Sequence, residues 1–136
     1  MSETTTPPVM TGVTPYLTVR GASDASAFYQ KAFAAEELMR TAAKDGKRVM
    51  HCHLKINGAD VMMSDEFPEY GMSLGDGPNG VTLHLQVDDA DAWFERAVAA
   101  GATVTMPIAD QFWGDRYGQL KDPFGHSWSI GSSPKK

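Results

Sequence analysis

The chain is 136 residues long, 42% hydrophobic and 21% charged, which suits one domain with a single hydrophobic core. No apolar run approaches the roughly 20 residues needed to cross a bilayer, so no membrane partner is expected. A net charge of −5 without a basic cluster excludes nucleic acid as a partner and mildly favours cationic ligands, and the single Cys52 excludes an internal disulfide or a cysteine-based zinc cluster.

Residues 1–12, MSETTTPPVMTG, have neither the basic segment nor the apolar stretch of a secretory signal, so they read as a flexible tail on a cytoplasmic protein. Next, Pro15, Leu17 and Val19 alternate with Thr14, Tyr16 and Thr18, the period of a strand. Ala25, Phe28, Tyr29, Ala32 and Phe33 then fall on one face of a helix, with Ser23 as the expected N-cap. Strands are predicted over 37–42, 48–56 and 59–64, turning at Lys44-Asp45-Gly46 and Asn57-Gly58. Cys52, in an alternating run, is expected to be a buried, inert thiol.

Residues 67–79, rich in Gly, Pro and Asp, read as a linker, after which the order repeats. Val81, Leu83, Leu85 and Val87 alternate with Thr82, His84 and Gln86. Ala90, Trp93, Phe94, Ala97 and Val98 form a second amphipathic helix face, with Asp88 as the matching N-cap. Trp93 and Trp128 are expected in the core. Strands follow over 103–106, 116–121 and 127–130, the last two flanking the turn at Asp122, Pro123 and Gly125. Both halves read strand, helix, strand, strand, strand. If the aliphatic faces lie under the helices, the polar and aromatic faces look the other way, toward a concavity or a partner.

This duplicated unit, the helix FYQKAF, the segment VTPYLTVRG and the closing run FWGDRYGQLKDPFGHSWSI resemble the vicinal oxygen chelate superfamily of glyoxalases, bleomycin-resistance proteins and extradiol dioxygenases, within it the PhnB-like branch. The resemblance covers residues 13–130. It implies an α+β fold of two βαβββ modules forming a cupped, barrel-like mixed sheet with a central cavity, usually in a homodimer. The domain would occupy 13–131, with modules at 13–66 and 80–131 and a tail at 132–136.

In metal-dependent members, the resemblance implies ligands at the positions of Thr14, Ser64 or Asp65, Thr82 and Ser129. Hydroxyls are poor ligands for Zn, Ni or Fe, so no cofactor and no metal centre of the usual kind are expected. Asp65, together with His51 and His53 two apart on one strand, supplies the alternative donors for a divalent metal. His126 is expected to be structural. The expected ligand-binding residues of a homodimeric small-molecule-binding protein are Tyr16, Thr18, His84, Trp113, Arg116, Tyr117 and Ser129. Arg116 could hold a carboxylate or phosphonate, or could pair with an Asp to order its loop. The enzymatic alternative is a lyase or isomerase with a rearranged site of His51, His53 and His84, or with His84 as general base. There is no GxSxG elbow, so nucleophilic acyl transfer is not expected, and no glycine-rich loop leads into a helix as a methyltransferase cofactor would need.

Overall fold

A computed structural model describes residues 12–134. The expected tail over 1–12 therefore lies almost wholly outside the described residues. Within them the chain divides into two compact units, residues 12–30 with 34–75, and residues 31–33 with 76–134.

The first unit holds β1 (Tyr16–Val19), most of α1 (Ala22–Phe33), β2 (Glu36–Ala42), β3 (Val49–Ile56) and β4 (Ala59–Asp65). Its sheet runs β1-β4-β3-β2, with β1 parallel to β4 and the other pairs antiparallel. The second unit repeats this plan with β5 (Thr82–Gln86), α2 (Ala90–Ala100), β6 (Thr103–Asp110), β7 (Arg116–Lys121) and β8 (Ser127–Ser132), in the order β5-β8-β7-β6. Here β5 is parallel to β8, and β8 and β6 are both antiparallel to β7. The chain is thus α+β, two βαβββ modules each with its own four-stranded mixed sheet.

Period-2 alternation decides which face of each sheet is covered. Leu17, Val19, Cys52, Leu54 and Met63 are buried on one face of the first sheet, and Leu85, Leu120, Trp128 and Ile130 are buried in the second unit. All five expected positions of α1 are buried, whereas α2 buries Ala90, Phe94 and Ala97 only. Trp93 is half-buried with the Arg96 guanidinium 4.5 Å above its ring, and Val98 is 40% exposed, so the α2 stripe is narrower than the sequence implies. Gly118 permits the close approach of α2: a Cβ there would lie 2.7 Å from Phe94 Cε1 and 2.9 Å from Ile108 Cα. The last turn of α1 belongs to the second unit, where Phe33 meets Trp128 at 4.5 Å between ring centroids and Arg96 Nε donates to the Ala32 carbonyl.

Both expected N-caps are corrected. The residue before α1 is Gly21, left-handed at φ 98°, and Asp65 of β4 receives the Gly21 and Ala22 amides. In α2 the cap is Asp89 rather than Asp88, its carboxylate accepting from the Ala92 amide. The expected linker is partly ordered: Phe67 is buried, a 3-10 turn spans Pro68–Tyr70, and the Arg48 guanidinium lies 4.1 Å over the Phe67 ring. Ser132, placed in the tail from sequence, ends β8.

Candidate functional site

The uncovered face of the second sheet gathers polar side chains by register. Parallel pairing sets His84 directly beside Ser129, and antiparallel pairing sets Gln119 beside Ser129 from the other side. His84 Nδ1 is 2.7 Å from Ser129 Oγ, and His84 Nε2 is 2.7 Å from Gln86 Oε1. Gln86 Nε2 donates to Ser133 Oγ, which turns the amide oxygen toward the imidazole. With the Gln86 amide oxygen in that place, Nε2 carries the proton and Nδ1 of the neutral ring accepts from the Ser129 hydroxyl; the opposite amide orientation reverses both roles.

An aromatic row continues the cluster. The Tyr117 ring stacks near His84, 5.9 Å between centroids with planes 23° apart; Trp113 meets Tyr117 edge-on at 5.4 Å, and Phe112 meets Trp113 edge-on at 5.0 Å. Gln119 Nε2 donates to Tyr117 Oη. Gly131 makes the packing feasible, because a Cβ there would lie 3.2 Å from His84 Cε1, 3.3 Å from Gln86 Oε1 and 3.4 Å from Tyr117 Cδ2. Trp113 is 49% exposed and Phe112 96% exposed, so the row runs from the sheet out to solvent.

Arg116 departs from the expectation that it shares a site with Tyr117. Neighbouring residues on a strand point to opposite faces, and Arg116 points to the helix side. Its Nε and Nη2 donate to Asp91 in the first turn of α2, and Nη1 donates to Asp110. The guanidinium is thus held by two carboxylates, neither of them its neighbour Asp115. It borders a cleft of about 170 Å³ lined also by Asp88, Asp89 and Ser133. A second cleft, about 290 Å³, lies in the first unit between Arg48, Met50, Phe67 and Tyr70.

The face of the first sheet opposite Leu17, Cys52 and Met63 carries Tyr16, Thr18, His51 and His53. Tyr16 Oη is 3.0 Å from His51 Nδ1, and the His51 and His53 rings are 6.5 Å apart at right angles. Burial, then the neighbouring His53, lowers the pKa of His51, while burial raises that of Tyr16. His53, 1% exposed, is bonded through Nε2 to Asp60 Oδ1 at 2.9 Å, and Asp60 also holds Lys55. Thr18 pairs with Ser64 across β1 and β4, as His84 pairs with Ser129 across β5 and β8.

The donor set does not fit a metal centre of the kind the fold implies. Asp65 spends Oδ1 on the Gly21 and Ala22 amides and Oδ2 on the Val49 amide, at 2.7–2.8 Å. Ser64 Oγ donates to the Asp65 carbonyl, and Ser129 serves His84. Thr14 and Thr82 offer only hydroxyls, which bind such metals poorly. Among the described residues no three His, Cys, Asp or Glu side chains are grouped so as to hold a metal ion.

Cys52 is fully buried, its Sγ 3.5 Å from Glu37 Oε1; burial, then the Glu37 charge, pushes its pKa up to about 12. At the β7–β8 turn, Asp122 Oδ1 accepts the Phe124 and His126 amides and Oδ2 accepts Trp128 Nε1. The His126 backbone amide is part of that turn. Gln86, Gln119 and Gly131 were not among the expected site residues. Alternation alone puts Gln86 on the His84 face and Gln119 on the Tyr117 face, whereas their meeting depends on strand register.

The profile of the Glyoxalase/Bleomycin resistance protein/Dioxygenase superfamily matches residues 9–130. The protein Rv0887c of Mycobacterium tuberculosis is 49% identical over 126 residues, covering 88% of this chain and 72% of that protein. The structure of the Arabidopsis thaliana gene product At5g48480 is 31% identical, with a TM-score of 0.72 over 90% of this chain and 98% of that one. A PhnB protein from Bacillus cereus shares the fold, at 20% identity and a TM-score of 0.73 over 90% of this chain and all of that one. No helix among the described residues is long and apolar enough to cross a membrane.

Proposed function

The chain belongs to the glyoxalase/bleomycin resistance protein/dioxygenase superfamily, and from that premise we propose that it is a PhnB-like small-molecule-binding protein whose ligand lies on the uncovered face of the second sheet. The observation that carries this reading is the continuous cluster of Trp113, Tyr117, His84, Gln86, Gln119 and Ser129. None of these side chains has a fixed charge. Aromatic surface beside oriented amides and hydroxyls suits an organic ligand with a planar portion and several hydrogen-bonding groups. With Arg116 tied to Asp91 and Asp110, the cluster contains no guanidinium to select a carboxylate or phosphonate.

Binding in this reading needs no metal, because the residues at the family's ligand positions are hydroxyls or an aspartate already committed to backbone amides. The protein acts in the cytoplasm as a homodimer. Exposed Val104 and Met106 on the edge strand β6, with Phe112 beyond it, supply apolar surface for a second copy. Sedimentation equilibrium should give twice the chain mass; a monomer at micromolar concentration would remove the dimer and leave the binding face.

The test of the ligand reading is a fragment screen by ¹H–¹⁵N spectroscopy, followed through Trp113→Ala and Gln119→Ala. Hits should shift the amides of β7 and β8. Each variant should weaken them by about tenfold, the equivalent of roughly 1.4 kcal/mol. Shifts confined to the Arg48 or Arg116 clefts, or affinities indifferent to both variants, would place the ligand elsewhere.

A further inference from the structure

We propose that Ser129 is a nucleophile activated by His84 and oriented through Gln86, so that this face can transfer the acyl group of small activated esters. This goes beyond ligand binding, although it uses the same face. The sequence holds no serine-nucleophile motif; the constellation comes from strand register, which brings residues 45 positions apart into contact.

Three features carry the inference. The first is geometry: serine to imidazole and imidazole to amide oxygen are both 2.7 Å, within the reach expected of nucleophile, base and orienting group. The second is the direction of the protons. With the Gln86 amide oxygen toward the ring, Nε2 carries the proton and the lone pair on Nδ1 is aimed at Ser129. His84 therefore has one proton to take, that of the Ser129 hydroxyl, and a general base at this position acts through Ser129. The third is rigidity. Ser129 is 2% exposed on the inner strand β8, held between two hydrogen-bonded neighbours, so an ester must reach it past His84, which is exposed on the edge strand β5.

The chemistry balances without a metal or redox partner. Ser129 Oγ bonds to the ester carbonyl carbon as its proton passes to His84 Nδ1, and Gln86 Oε1 holds the Nε2–H of the imidazolium. The carbonyl oxygen becomes an oxyanion. Gln119, opposite Ser129, has an amide hydrogen beyond the one it gives to Tyr117, and it is the nearest side-chain donor by register. Collapse breaks the bond to the leaving alcohol, which takes the proton from His84 and leaves an acyl-serine. Water, deprotonated by His84, then releases the carboxylic acid and restores Ser129. A neutral amide stabilises imidazolium less than a carboxylate does, so the substrates are esters with good leaving groups.

The test uses the full chain with p-nitrophenyl acetate, following p-nitrophenolate release and mapping the acetylated peptide. Wild type should show a burst of about one equivalent per chain, with the acetyl group on Ser129. Ser129→Ala should lack that adduct, and His84→Gln should slow acylation on the order of 10²-fold. Gln86→Glu should accelerate it, a gain that a purely structural hydrogen bond does not predict. It also keeps the proposal testable if Ser129→Ala does not fold. Absence of acetyl-Ser129 in wild type, equal acylation in His84→Gln, or no gain in Gln86→Glu would each overturn the nucleophile. Fragment hits on β7 and β8 without acylation would overturn the nucleophile and leave the binding reading standing; acetyl-Ser129 with no such hits would do the reverse.

Discussion

Asp65 shows how one carboxylate can be read in two ways. From sequence it is the single good metal donor among hydroxyls, yet its oxygens accept three backbone amides, from the residue before α1, the first residue of α1, and β3. A buried carboxylate so placed caps a helix and ties two strands, and its loss leaves those donors unpaired. Asp65→Ala should cost roughly 3 kcal/mol in urea unfolding, with no change in bound metal. A loss below about 0.5 kcal/mol, the size of an ordinary surface substitution, would deny it this role. At the same scale, Tyr117 and Arg116 show what the sequence reveals and where it misleads. Their adjacency suggests a shared site, but alternation along β7 sends Tyr117 to His84 and Arg116 to Asp91. That separation could have been deduced from the strand period; the partner Asp91, 25 residues earlier, could not.

Helices and strands were largely legible, because apolar period fixes them locally. The five-residue stripe of α1 is wholly buried and β7 spans the expected 116–121. Errors fall where local pattern competes with tertiary contacts. The edge strand β6 runs to Asp110, four residues past its expected end, because pairing with β7 continues through Pro107 across irregular register. The β2–β3 connection rests on Asp45, whose Oδ1 accepts the Lys47 and Arg48 amides and whose Oδ2 pairs with Arg48. The Arg48 amide, then the Lys47 amide, hold its pKa down to about 2. A carboxyl with a depressed folded-state pKa stabilises the fold above its unfolded value, about 3.9, and loses that effect as pH falls toward 2. The melting temperature of wild type should therefore exceed that of Asp45→Asn at pH 6, with the gap closing between about pH 4 and pH 2. A gap that stays constant through that window would contradict the turn's reliance on the charge.

For the whole molecule, the duplicated plan was readable because helix stripes 65 residues apart match in sequence, and both sheets place their first strand parallel to their last. The functional face was only half readable. His84 could be nominated from alternation, Tyr117 and Trp113 from the aromatic closing run, and Ser129 from the family resemblance, but the bonds around His84 depend on register between β5 and β8 and on Gly131 leaving room. The central claim is that this face binds an organic ligand without a metal. Its most direct test is calorimetric titration of a β7–β8 fragment hit into untagged protein, with and without prior chelator treatment and with metal content measured in both samples. The account predicts the same affinity and one site per chain in both; affinity that disappears with the chelator and returns with one equivalent of a divalent metal would contradict it.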